Sequence, residues 1–186
     1  MAIKTFTTGE VLTAADTNTY LANSGLTYIT SASLTGVTNT FSNCFSTTYD
    51  SYRIVISNLN NATGSTRQMS LRMGTDASAQ YGAGEQYIYG AGNSGVTGST
   101  AQTESKLGNI SIANAQGLFI DMANPFLTSA TTWAFQMLTY QSDVAAWVYR
   151  TGYGVKDSIT SYTGFQIIGT TDNLSGLVTI YGYRKA

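Results

Sequence analysis

The ten carboxylates of this 186-residue chain carry whatever proton chemistry it can do near neutral pH, because it has no histidine and a single cysteine. Without histidine there is no Ser-His or Cys-His pair, no imidazole base, and none of the commonest zinc and iron ligands. Two carboxylates could still hydrolyse a glycosidic bond, one as acid and one as base or nucleophile. However, Asp50, Asp76, Asp143 and Asp172 stand in "YDS", "TDAS", "SDV" and "TDN", turn contexts in which the carboxylate serves the backbone. Asp121, in "LFIDMANP", ends a strand pattern and has an apolar approach, but the sequence names no partner for it. No Asp-x-Asp-x-Asp calcium loop occurs. "GAGNSG", Gly90 to Gly95, matches the dinucleotide fingerprint by letter, yet "VTGSTAQT" after it is a poor helix and no acidic residue follows at the required distance. The expectation is no catalytic pair, no metal, no cofactor, and a protein that is not an enzyme.

Binding chemistry has more to work with. Aromatic rings stack on sugar faces, and Trp133, Trp147, Tyr149 and Tyr153 stand close together in sequence. Good alternation in their strands predicts that both tryptophans belong to the core. In "TIYGYRKA", Val178 and Ile180 facing the core would turn Tyr181 and Tyr183 outwards. Tyr149, Tyr153, Tyr181 and Tyr183 are therefore the candidate contacts to a glycan or a neighbouring subunit, since amphipathic aromatics are enriched in interfaces.

The elements that must position these rings are strands. Only 10% of residues are charged, against about 25% in an average soluble protein. Thr, Ser, Asn and 19 Gly take the place of the missing charge. Period-two alternation starts at Leu26. In "SYRIVISN", Tyr52, Ile54 and Ile56 alternate with Arg53, Val55 and Ser57, and in "RQMSLRMG" Met69, Leu71 and Met73 oppose Ser70 and Arg72. "LTYITSASL", "EQYIYG", "NISIA", "GLFIDM", "TTWAFQMLTY", "AAWVYRTGYG", "TGFQIIGT" and "GLVTIYGYR" extend the series, with a hairpin at "YQSDV". This pattern predicts an all-β fold, a jelly-roll-like β-sandwich over residues 27–186. Residues 90 to 105, rich in Gly, Ser and Thr, read as a long exposed loop.

Residues 1–26 differ. "TAAD" places Thr13 before Ala14 and Asp16 three positions later, a helix-start pattern, and "NSG" ends the helix after about Ala22. So short a helix is marginal in water and must dock through Leu12, Tyr20 and Leu21. Cys44, between Phe41 and Phe45, reads as a half-buried structural thiol.

Charge excludes other partners. The nine basic residues are scattered between Lys4 and Lys185, so no stripe attracts nucleic acid. No apolar run approaches the roughly 18 residues a membrane span needs, and "MAIKTFTTGE" lacks the apolar region of a secretory signal. Nucleic acid and membrane are not expected partners.

"FTTGEVLTAADTNTYLAN", with Phe6, Gly9, Val11, Leu12, Ala14, Asp16, Asn18, Tyr20 and Leu21, resembles the N-terminus of many tailed-bacteriophage virion proteins, among them tail fibres, minor tail proteins and head appendages. "YDSYRIVISN", "MANPF" and "GLVTIYGYRKA" are similar to the β-sandwich that often follows. The resemblance implies a virion component, assembled in the host bacterial cytoplasm, that self-associates as a trimer. Its partners would be other virion proteins of capsid, collar or tail, and Val11, Leu12, Asp16, Asn18, Tyr20 and Leu21 would be the docking residues. Without coiled-coil heptads, a compact decoration, collar or tip protein fits better than a long shaft. The alternative is a receptor-binding tip module that recognises a host-surface glycan.

Overall fold

The computed structural model describes residues 7–11, 13–16, 25–90, 92–111 and 116–185. Within the arm, Thr7 to Glu10 form a turn in which the Glu10 N–H donates to the Thr7 carbonyl at 3.0 Å and the Thr7 N–H donates to the Glu10 carboxylate at 3.2 Å. Gly9, at φ +88°, supplies the left-handed residue this turn needs. A short helical turn, α1 (Ala14–Asp16), follows. The rest of the expected helix, residues 17–22, lies outside the described residues.

Twelve strands form among the described residues: β1 (Leu26–Leu34), β2 (Thr38–Phe41), β3 (Ser51–Asn61), β4 (Arg67–Met73), β5 (Tyr81–Tyr89), β6 (Asn93–Gln102), β7 (Ser105–Ile110), β8 (Gln116–Ala123), β9 (Thr131–Gln141), β10 (Ala146–Lys156), β11 (Phe165–Gly169) and β12 (Leu174–Tyr183). They make an eight-stranded sheet ordered β1-β12-β3-β8-β9-β10-β5-β6 and a four-stranded sheet ordered β2-β11-β4-β7. Every pairing is antiparallel. In this order β1 pairs with β12, β2 with β11, β3 with β8 and β4 with β7, as when one long hairpin is rolled on itself. That is the jelly-roll wrap, with BIDG and CHEF sheets, and two inserted hairpins widen one sheet beyond β8.

Burial follows the alternation. In β3, Tyr52, Ile54 and Ile56 are buried, and in β4 so are Met69, Leu71 and Met73. Each fully buried large side chain contributes about 1.5–3 kcal/mol relative to exposure. Phe41 and Phe45 stack on Phe165 at 4.9 Å and 5.7 Å between centroids, and Phe45 meets Tyr52 edge-on at 4.7 Å. Cys44 is fully rather than half buried beside this aromatic cluster.

Two further expectations are corrected. Residues 93–102 are not a loop but β6, paired with β5 from Tyr89↔Asn93 to Tyr81↔Gln102. The fingerprint-like "GAGNSG" runs from the corner of that hairpin, where Gly90 and Gly92 take positive φ, into β6 itself. Backbone pairing makes the strand, and its small side chains give no periodic signal. Trp147 is not a core residue: it is 43% exposed, whereas Trp133 is 3% exposed. The two stand on opposite faces of the sheet, β9 and β10 being offset so that Trp133 opposes Gly154 and Trp147 opposes Tyr140.

Candidate functional site

The glycines of β10 and β12 decide where the tyrosines point. In "TGYG", Gly152 and Gly154 face inwards beneath the rings of Phe135 and Trp133, so Tyr153 between them faces out. In "YGY", Gly182 lies beneath the Tyr49 ring, and Tyr181 and Tyr183 face out. An inward glycine makes room for a core aromatic, and the next residue is presented on the opposite face.

All four candidate tyrosines stand on the outer face of the eight-stranded sheet. One cross-strand row runs Tyr28–Tyr181–Arg53–Asp121–Ala134–Tyr153–Gly84–Gly98, from β1 to β6. At one end Tyr28 and Tyr181 meet edge-on, 6.2 Å apart. At the other end the Tyr153 ring rests over Gly84 and is 62% exposed. Between them Arg53 and Asp121 form a bidentate pair: Arg53 Nε donates to Asp121 Oδ1 at 2.8 Å and Nη2 donates to Oδ2 at 2.6 Å. The Tyr183 hydroxyl also donates to Asp121 Oδ1, at 2.6 Å, and the guanidinium lies 5.8 Å from the Tyr183 ring centre.

These contacts set the charge states. The hydrogen bonds from Arg53 hold the Asp121 carboxyl below its usual range, outweighing partial burial. Burial, and then its bond to Asp121, push the Tyr183 hydroxyl up. Asp121 is therefore an ionised acceptor, already holding three donors, rather than a proton donor.

Tyr153 and Tyr183 wall one shallow open groove of about 670 Å³. Its floor is made of small side chains, chiefly Ser51, Ala123, Thr132 and Ala134, with Asp121 at one side. Tyr149 lies apart, in a second depression shared with Phe119, Leu138 and Trp147. The structure thus brings Tyr153 and Tyr183 together and leaves Tyr149 and Tyr181 on flanking parts of the same face.

Sequence reasoning missed Arg53 as the partner of Asp121. The two are far apart along the chain, and only the β3–β8 register puts them opposite each other. Of the docking candidates, Val11 is exposed in the arm and Asp16 ends α1. Leu12, Asn18, Tyr20 and Leu21 lie outside the described residues.

A buried charge cluster occupies the inner face where the large sheet overhangs the small one. Glu85 accepts from Arg150 Nη1 at 2.9 Å and from Lys106 Nζ at 2.8 Å, and Arg150 covers the Tyr87 ring at 4.9 Å. Burial alone would raise the Glu85 carboxyl, but Lys106 and Arg150 outweigh it and hold it low. Among the described residues no group of His, Cys, Asp and Glu is arranged to hold a metal ion, and no helix is long and apolar enough to cross a membrane.

No protein-family model and no curated protein matches the chain. Among solved structures, the chain is similar to the CBM2 module of the Lactobacillus casei BL23 phage J-1 evolved Dit, at 10% identity and a TM-score of 0.29, over 80% of this chain and 69% of that one.

Proposed function

We propose that the protein is a bacteriophage virion structural component: a compact decoration, collar or fibre-type appendage whose jelly roll is fastened to the particle by residues 1–26. The observation that carries this reading is the arm. Its sequence resembles virion anchoring segments, and its apolar Val11 is left 78% exposed, unused by the β-sandwich. The reading is of a binding protein without a catalytic step. It is supported by Asp121, the carboxylate whose sequence context has an apolar approach, and by the buried Glu85, each of which is pinned ionised by cations. The low charge content supports self-association, and we propose a trimer.

Deleting residues 1–25 tests the fastener. The truncated protein should unfold at the same temperature as the full chain and be missing from purified particles when it replaces the full-length protein. Loading at normal levels would overturn the reading. Light scattering that shows a stable monomer at high concentration would remove the trimer.

A second reading, recognition of a host-surface glycan, is favoured by one observation: Tyr153 and Tyr183 wall the same groove on an exposed sheet face. Retention of the purified chain on immobilised glycans tests it separately from particle assembly.

A further inference from the structure

We propose that the groove between Tyr153 and Tyr183 binds a neutral, hydroxyl-rich oligosaccharide laid across the strands, with the Arg53–Asp121 pair as its polar anchor. This rests on the glycan reading above and specifies the ligand's charge, its orientation and the residues that read it.

The anchor is chemically suited to paired hydroxyls. Arg53 and Asp121 lie in one bidentate plane, and their side chains keep 37% and 46% of their exposure. Arg53 Nη1 donates to no group among the described residues, and Asp121, which lines the groove, keeps nearly half of its side chain open to solvent. A fixed donor beside a fixed acceptor matches two neighbouring hydroxyls, each of which can accept from one and donate to the other. The Tyr183 hydroxyl and the bidentate geometry hold Asp121 in place before any ligand arrives, so little ordering is left to binding.

Charge selects among ligands. Asp121 is the charged side chain that lines the groove, and Arg53 beside it cancels its charge. An acidic sugar would find no unpaired cation and would face the Asp121 carboxylate. A neutral one meets no such repulsion.

Shape selects length. Tyr153 and Tyr183 stand on β10 and β12, four strand intervals apart, about 19 Å at the usual spacing. The floor between them carries Asp121, Ala123, Thr132 and Ala134. A single ring would touch one end of this trough. A chain of rings can rest on Tyr153 and still reach Asp121.

The test uses the full chain on immobilised panels of neutral oligosaccharides and of oligosaccharides bearing sialic or uronic acids. Wild type should be retained on neutral members. Tyr153→Ala and Asp121→Asn should each weaken that binding by at least about tenfold, the scale of one hydrogen bond to a charged group. Tyr183→Phe keeps the ring but frees Asp121 and should weaken binding less, while Tyr149→Ala in the neighbouring depression should leave it unchanged. Matching melting temperatures identify the variants that remain folded. Retention on acidic panels alone would overturn this inference and leave the glycan reading standing. Retention on neither panel would overturn both. Neutral binding unaffected by Tyr153→Ala and Asp121→Asn would overturn the placement of the site. Loss of self-association in Tyr153→Ala, with no glycan bound by wild type, would give this face to a second copy and overturn the proposal.

Discussion

Lys156 Nζ lies 3.1 Å from Asp76 Oδ2, with the lysine wholly out of solvent. The ammonium also donates to Ser78 Oγ and, at 3.2 Å, to Gln80 Oε1, and it sits 4.4 Å above the centre of the Tyr81 ring. The Tyr162 hydroxyl donates to the same Asp76 oxygen at 2.6 Å. One buried cation therefore ties the end of β10 to the loop between β4 and β5. Asp76→Ala would leave that cation without its counter-charge and should cost about 3–5 kcal/mol. Lys156→Met keeps the stem's volume and should cost clearly less. Urea unfolding of the two variants checks the order.

The same pair gives the fold an acid-sensitive element. Burial alone would raise the Asp76 carboxyl, but hydrogen bonds from Tyr162, Ser78 and Lys156 outweigh it and hold it well below the ordinary value. A native value below the unfolded value of about 3.9 means the contribution is fully present above that pH and is withdrawn as the pH falls further. Stability should therefore start to drop as the pH falls below about 4 and keep dropping towards the depressed native value, and Asp76→Asn should show a shallower drop. Equal slopes for the two proteins would remove Asp76 as the source.

Gly152→Ala should destabilise the large sheet. The added methyl would come 2.4 Å from the Gly84 carbonyl oxygen and 2.5 Å from Phe135 Cζ, and a backbone atom cannot swing aside. Overpacking of this kind costs about 1–3 kcal/mol or more. Gly36→Ala, whose methyl would find its nearest neighbour at 3.8 Å, is the matched control and should change the melting temperature little.

Cys44 should stay silent towards thiol reagents in the native state. Burial pushes its thiol up to about 12, and it packs among Phe41 and Phe45. Its labelling should appear only as the protein unfolds, with the same midpoint in urea as the far-ultraviolet signal. Rapid reaction without denaturant would contradict the packing of this cluster.

The two tryptophans should separate by quenching. Trp147 is exposed and meets Tyr140 edge-on at 6.0 Å, while Trp133 is sealed inside. Trp147→Phe should remove the iodide-accessible part of the emission and leave a blue-shifted, protected remainder.

How much of this was legible in the sequence varied with the kind of signal each element carries. β3, β4, β9 and β12 alternate apolar and polar residues, so their existence and inward faces could be read directly. β6 could not, because "NSGVTGSTAQ" has no apolar alternation and its strand state comes from backbone bonds to β5. Trp147 was misplaced because tryptophan in a strand is read as core unless the register is known. Tyr181 and Tyr183 could be proposed as outward residues because Val178 and Ile180 take the inward positions of the alternation, whereas the glycines that turn Tyr153 outwards show their role only in the packing. The Arg53–Asp121 pair could not, because it depends on which strands become neighbours, and no local pattern encodes that.

The position of β12 has a consequence for how the molecule is made. This strand lies between β1 and β3, so the large sheet has an empty slot second from one edge until residues 174–183 are available. A nascent chain leaves the ribosome with β1 already synthesised but its hydrogen-bonding neighbour still to come. Closure of the wrap then joins β1 to β12, a contact of high sequence separation that slows folding and meanwhile leaves β1 without its partner and one edge of β3 open. Premature termination anywhere before β12 should therefore yield no partly useful domain, only a chain with two open strand edges that is prone to aggregate or be degraded. Every copy that reaches the folded state has passed that check, because only a chain translated through β12 can close the wrap.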